Sequence, residues 1–114
     1  MNQLEGEGYR VVYDPEVGCV ACIGTLRLGG LAEYAPVTEL LNEAMAAHEV
    51  LELDLTQLEF LNSSGIATLS KFIISVRDSK QHGLRVIGST TVPWQGKSLK
   101  NLQRLMPTLE LSFQ

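Results

Sequence analysis

Leu51, Leu53 and Leu55 alternate with Glu52, Asp54 and Thr56, the two-residue period of a strand that buries one face. A few residues later the period changes, and Ile66, Leu69, Ile73 and Val76 recur along one helical stripe. Between the two patterns stands Asn62-Ser63-Ser64-Gly65. Asn and Ser side chains accept hydrogen bonds from the unpaired N–H groups of a helix's first turn, so this tetrapeptide reads as a helix start. Residues 50–79 are therefore a strand running into a helix, and the rest of the chain is organised around that unit.

Upstream, Tyr9-Arg10-Val11-Val12-Tyr13 is a short strand ended by Asp14-Pro15, and a longer apolar strand follows from Val17 to about Leu28. The tight turn between them predicts a hairpin. Gly29-Gly30 breaks the pattern. From about Pro36 a helix sets Val37, Leu40, Leu41, Ala44, Met45 and His48 on one stripe, with Glu39, Asn42 and Glu43 off it. Downstream of the central unit, Gly83 stops the helix, Leu84-Arg85-Val86-Ile87 makes a strand and Pro93-Trp94-Gln95-Gly96 a loop. Leu99, Leu102, Leu105 and Met106 mark a third, basic amphipathic helix, which Pro107 ends before a closing strand over 109–113. The order is ββαβαβαβ. Helices alternating with strands after a hairpin predict an α/β layer fold, a mixed sheet of about five strands covered by three helices through right-handed crossovers.

Composition narrows the classes. A chain of 114 residues, 45% hydrophobic, is expected to be one domain over 1–114 that buries roughly 65% of the surface its unfolded form exposes. Its net charge of −4, with Lys and Arg scattered, offers no basic patch for nucleic acid and no polybasic membrane anchor. No apolar run approaches the roughly 18 residues of a membrane span. Residues 1–10 are polar and acidic where a secretory signal would be basic and then apolar, so the expected location is cytoplasmic.

Most candidate chemistry fails on geometry. Cys19 and Cys22 form a C-x-x-C, but inside an apolar strand, where side chains three apart point to opposite faces; core cysteines are the expectation, not a redox pair. Zinc would need two further ligands, and His48 and His82 stand at no finger-like spacing, so neither a metal nor another cofactor is expected. Gly96-Lys97-Ser98 has the ending of a phosphate-binding loop, but Thr91 occupies the position of its first glycine. Ser63 and Gly65 give half of a nucleophile elbow, with Leu61 where its first glycine belongs; His82 lies at the far end of the helix that Ser63 opens and His48 on a core stripe. Glu52 and Asp54 share a strand face with nothing to set them around a cleft. No catalytic residue is assigned, and an enzyme is not expected.

What remains is a pair of hydroxyls at a helix N-terminus, the end that carries partial positive charge and tolerates a phosphate. Residues 53–66, Leu-Asp-Leu-Thr-Gln-Leu-Glu-Phe-Leu-Asn-Ser-Ser-Gly-Ile, resemble the signature of STAS domains, the sulfate transporter and anti-sigma factor antagonist family. There a strand ending in Asp-Leu-Ser leads through a short loop to Asp-Ser-Ser/Thr-Gly at a helix start. The looser likeness extends to the initial hairpin, Gly24, Ala35-Pro36 at the first helix and the basic third helix. The resemblance implies a cytoplasmic bacterial binding module in signal transduction and transcription regulation. In its partner-switching members the serine after the motif's Asp is phosphorylated by an anti-sigma factor kinase, which releases the partner. Matched residue by residue, that serine is Ser63, with Ser64 in reserve. The expected partner is an anti-sigma factor or serine kinase-like regulator, with a homodimer as a further possibility. The alternative is an unphosphorylated structural STAS subunit of a sensory or lipid-transport assembly.

The chain departs from the family pattern in three places. Asn62 replaces the motif's Asp, which keeps the cap and removes a charge; Gly24-Thr25-Leu26-Arg27 stands where many members have Gly-Glu-Leu-Asp; and the final helix of many relatives is expected to be absent, leaving apolar sheet surface for a partner or second copy. The expected partner-binding surface combines Asn62, Ser63, Ser64 and Gly65 with Trp94, Lys97 and Lys100, because loops after adjacent parallel strands gather at one end of a sheet. Trp94, the single tryptophan, is its expected anchor. Gly65 either lets another backbone approach the hydroxyls or packs the helix start on the sheet.

Overall fold

In the computed structural model, which describes residues 2–114, the elements run β1 (Gln3–Gly6), β2 (Tyr9–Asp14), β3 (Cys19–Leu26), α1 (Gly30–Glu33), α2 (Ala35–Ala46), β4 (Val50–Leu61), α3 (Ser63–Ser79), β5 (Gly83–Gly88), α4 (Gln95–Gln103) and β6 (Glu110–Phe113). The α/β layer class is as expected, with one strand and one helix more. The extra strand β1 carries a single large apolar residue, Leu4, which pairs with Val11 across an antiparallel ladder; so short an edge strand has no periodicity to read. The extra helix α1 is one turn, placed where Gly29-Gly30 reads as a break.

Other boundaries also move. β3 is shorter than the predicted 17–28. α3 ends at Lys80, whose left-handed φ of 56° caps it, and Gly83 is already the first residue of β5. α4 begins at Gln95, inside the predicted loop, and Leu105 and Met106 lie beyond its end. His48 follows the end of α2 and is not on its stripe; its Nε2 meets the Tyr13 hydroxyl at 2.8 Å. Among the described residues no helix is long and apolar enough to cross a membrane.

The sheet order is β1-β2-β3-β4-β5-β6. β1, β2 and β3 pair antiparallel, and β3, β4, β5 and β6 pair parallel. α2, α3 and α4 pack on the sheet, and α1 packs on α2 and α3. The sheet face toward these helices carries the core, with Val11, Val20, Leu51, Leu53, Leu84 and Val86 at most 3% exposed.

β4 is a 12-residue strand whose burial changes period along its length: Leu51, Leu53 and Leu55 are buried two apart, then Leu58 and Leu61 three apart. The register against β3 shows why. Ala21 pairs with Asp54 and Ile23 with Gln57, then Gly24 with Leu58 and Thr25 with Phe60, so β4 carries an extra residue at two bulges. Asp54 supports the first by accepting from the Thr56 amide at 2.9 Å and its hydroxyl at 2.7 Å. The bulges keep leucines on the core side while the strand runs on past the last β5 partner, Ile87 opposite Asp54. Residues 55–61 thus project beyond β5 and deliver Asn62 to the top of the sheet.

Candidate functional site

Asn62 is extended (φ −79°, ψ 177°) and caps α3 by accepting from the Gly65 amide at 3.0 Å. The same Oδ1 accepts from the Tyr34 hydroxyl at 2.7 Å, and Nδ2 donates to the Leu28 carbonyl at 2.9 Å. Tyr34 is buried, which pushes its phenol up from the ordinary value and keeps the hydroxyl a donor. One amide therefore ties together the α3 start, the segment after β3 and the α1–α2 junction. Aspartate would supply the cap but not the donor, and its second oxygen would face the Leu28 carbonyl. Asn62→Asp is expected to lower stability by about 1 kcal/mol, the lost bond outweighing the gain from a negative charge at the helix N-terminus. Urea denaturation measures it, and an unchanged or raised midpoint would contradict the tether.

Gly65 is buried in the first turn of α3. A Cβ there would run into the Leu61 side chain and lie 2.8 Å from the Tyr34 hydroxyl oxygen. The helix start is packed tightly on the strand end that precedes it. Ser63 and Ser64, by contrast, face outward: Ser63 is exposed and Ser64 half-exposed, and neither hydroxyl has a hydrogen-bond partner among the described residues. Their amides belong to the first turn, where no carbonyl within the helix can receive them.

The second part of the expected surface is fastened to the first. Gln95, fully buried, accepts from the Ser89 amide at 2.7 Å through Oε1 and donates through Nε2 to the carbonyls of Leu55 at 2.7 Å and Leu58 at 2.9 Å. Trp94 is half-buried, packs against the core and donates Nε1 to the Glu59 carbonyl at 2.9 Å; Glu59 is the extra residue of the second bulge. Adjacent side chains at the α4 start thus satisfy carbonyls of the β4 segment that has outrun β5. The two helix starts share this one strand extension. Lys97 and Lys100 are exposed on α4 and take part in no ion pair among the described residues.

Sequence reasoning missed Gln95 and Tyr34. Gln95 had a signal: with Leu99, Leu102 and Met106 it continues one helical stripe, a polar residue at a core position. It also missed a pair on the rim, Arg27, whose guanidinium carbon lies 5.2 Å from the centroid of the 42%-exposed Phe60 ring. Arg27 thus sets a cation over the aromatic ring two residues before the α3 cap.

The histidines lie elsewhere. His82 follows α3, whose 17 residues span about 25 Å, and its Nδ1 meets the His48 carbonyl at 2.7 Å. Neither reaches Ser63. Cys19 and Cys22 do point to opposite faces, but only Cys22 is in the core. Burial pushes the Cys22 thiol up to about 12, and burial with the carboxylates of Glu52, Asp54 and Asp14 pushes Cys19 up to about 11. Neither thiol is a nucleophile near neutral pH.

No family model matches the chain, and no curated protein matches it by sequence. Its fold does have matches among solved structures. SiaC of Pseudomonas aeruginosa superposes with a TM-score of 0.74 over 100% of this chain and 98% of that one, at 19% identity. The complex of the diguanylate cyclase SiaD with its activator SiaC, from the same organism, contains a chain matching with a TM-score of 0.75 over 98% of each, at 16% identity. An anti-sigma factor antagonist from Mycobacterium paratuberculosis matches with a TM-score of 0.61 over 96% of this chain and 81% of that one, at 20% identity. With six strands in sequence order and helices alternating with the parallel ones, the chain has a STAS-like α/β fold, shared with SiaC and with the anti-sigma factor antagonist.

Proposed function

We propose that this protein is a non-enzymatic regulatory module that binds a protein partner through the α3 start and is switched by phosphorylation of Ser63. The observation that carries the reading is the contrast within four residues: Asn62 and Gly65 are committed to structure, whereas Ser63 is exposed and, among the described residues, its hydroxyl has no partner at a helix N-terminus whose first amides have none either. A phosphate there would add about −1.5 to −2 charge where the helix dipole and those amides limit its harm to the fold. The partner face then includes Ser64, the exposed Phe60 with Arg27, and Trp94, Lys97 and Lys100 across the strand extension. Cationic Arg27, Lys97 and Lys100 suit an acidic partner patch, or the phosphate itself once formed. Two fold relatives act on other proteins: one is named an anti-sigma factor antagonist, and SiaC is the activator of a diguanylate cyclase. The partner class is accordingly an anti-sigma factor, a serine kinase-like regulator or another regulatory enzyme in the cytoplasm.

Ser63→Asp should abolish or strongly weaken capture of the native partner and leave Tm within a degree or so, because the exposed site packs against nothing. Ser63→Ala should retain the partner. Equal capture by both variants would eliminate the switch and leave the unphosphorylated structural subunit, in which the same edge is a permanent interface. Intact mass of protein from its own cells reports independently whether a phosphorylated fraction exists.

A further inference from the structure

Among the described residues the helices cover one face of the sheet, the face of Val11, Val20, Leu53 and Val86, and leave the other face bare. Register defines it. One row crosses all six strands as Gln3, Val12, Ala21, Asp54, Ile87 and Ser112; the next crosses five as Asp14, Cys19, Glu52, Arg85 and Glu110; on the other side Arg10 pairs with Ile23. Val12, Ala21, Ile23 and Ile87 are all part-exposed, a band of apolar side chains open to water. Parallel strands are found almost exclusively with both faces covered, and β3, β4, β5 and β6 form a parallel array covered on one side only. The covering layer that suits such an array is a helix.

Charge restricts what that helix is. On the central strand, Glu52 and Asp54 stand between the apolar residues, with Asp14 two strands away in the Cys19 row. Arg85, the nearest guanidinium in that row, is already held by Glu110 at 2.9 Å. The Cys19 thiol in the same row is raised first by burial and then by these carboxylates, Glu52, Asp54 and Asp14. A second copy is a poor occupant, because two such faces would oppose carboxylate to carboxylate and because the apolar stripe of the basic helix α4, Leu99 and Leu102, is buried in its own core. An anionic lipid surface is repelled for the same reason.

We propose that the bare face is a second docking surface, distinct from the α3 start, and that its occupant is a basic amphipathic helix of another protein, lying across β2, β3, β4 and β5. Its aliphatic stripe covers Val12, Ala21, Ile23 and Ile87, and its Lys or Arg side chains reach Glu52, Asp54 and Asp14. The surface lies on the far side of the sheet from the helix layer, so it can be occupied whether or not Ser63 is modified.

The test follows the methyl resonances of the whole protein during titration with an amphipathic peptide of leucine and lysine, about 18 residues long, and with its leucine–glutamate counterpart. The lysine peptide should shift the methyls of Val12, Ala21, Ile23 and Ile87, and more weakly at high salt. Glu52→Gln combined with Asp14→Asn, which keeps the acceptor for the Glu16 amide, should weaken binding about fivefold. Ser63→Asp should leave this affinity unchanged even where it releases the α3 partner, which separates failure of this surface from failure of the switch. The proposal is overturned if the glutamate peptide binds equally, if only methyls of the helix layer such as Leu31 and Ile74 shift, if anionic vesicles shift the sheet methyls instead, or if sedimentation shows that a second copy already covers them.

Discussion

Gln95→Leu should lower the unfolding free energy by about 4 kcal/mol, the largest loss expected from any single polar residue here. The substitution keeps an apolar side chain of similar length in a fully buried site but strands three backbone groups, the Ser89 amide and the Leu55 and Leu58 carbonyls. Each buried polar group left unpaired costs about 1–3 kcal/mol. Those carbonyls lie in the stretch of β4 that has no β5 partner, so no neighbouring strand can take over. Equilibrium denaturation followed by the fluorescence of Trp94, the adjacent residue and single tryptophan, reads both stability and local packing. A loss under about 1 kcal/mol would mean that water or a rearranged loop satisfies the bulged strand and that Gln95 is dispensable to it.

Gly65→Val should cost about 3 kcal/mol, and Gly65→Ala a smaller amount in the same direction. Helix propensity alone argues the opposite, since Ala is favoured over Gly by about 1 kcal/mol in a helix. The clash decides the sign: a Cβ would enter the Leu61 side chain and crowd the Tyr34 hydroxyl that Asn62 holds at 2.7 Å. Relief requires the helix to lift from the strand end, which also loosens the cap beneath Ser63. If Gly65→Ala proves stabilising in thermal melts, the helix start has slack, and an approach of another protein's backbone becomes the better reason for glycine at this position.

The strand–helix unit of residues 50–79 was legible from apolar residues at clear periods, the hairpin from two apolar runs punctuated by Asp14-Pro15, and the layer class from helices alternating with strands after it. β1 and α1 were not, since four residues are too few to establish a period. Within β4 the alternation fails after Leu55 because bulges change which residues face the core, and only pairing with β3 reveals them. Asn62 as a cap was readable from its type and place; its donation to Leu28 was not, because that partner is 34 residues away. Gln95 went unrecognised because Pro93, Trp94 and Gly96 around it have loop chemistry, while its partners belong to another strand.

The strand order has a consequence for synthesis. Spatial order and chain order coincide across all six strands, so each strand leaving the ribosome finds its neighbour already made and its own place on a free edge. No strand has to be inserted between two that have paired, and each crossover helix is laid down before the strand it leads to. The sheet can therefore grow in one direction, with the bulged end of β4 waiting only for Trp94 and Gln95 to arrive and close it.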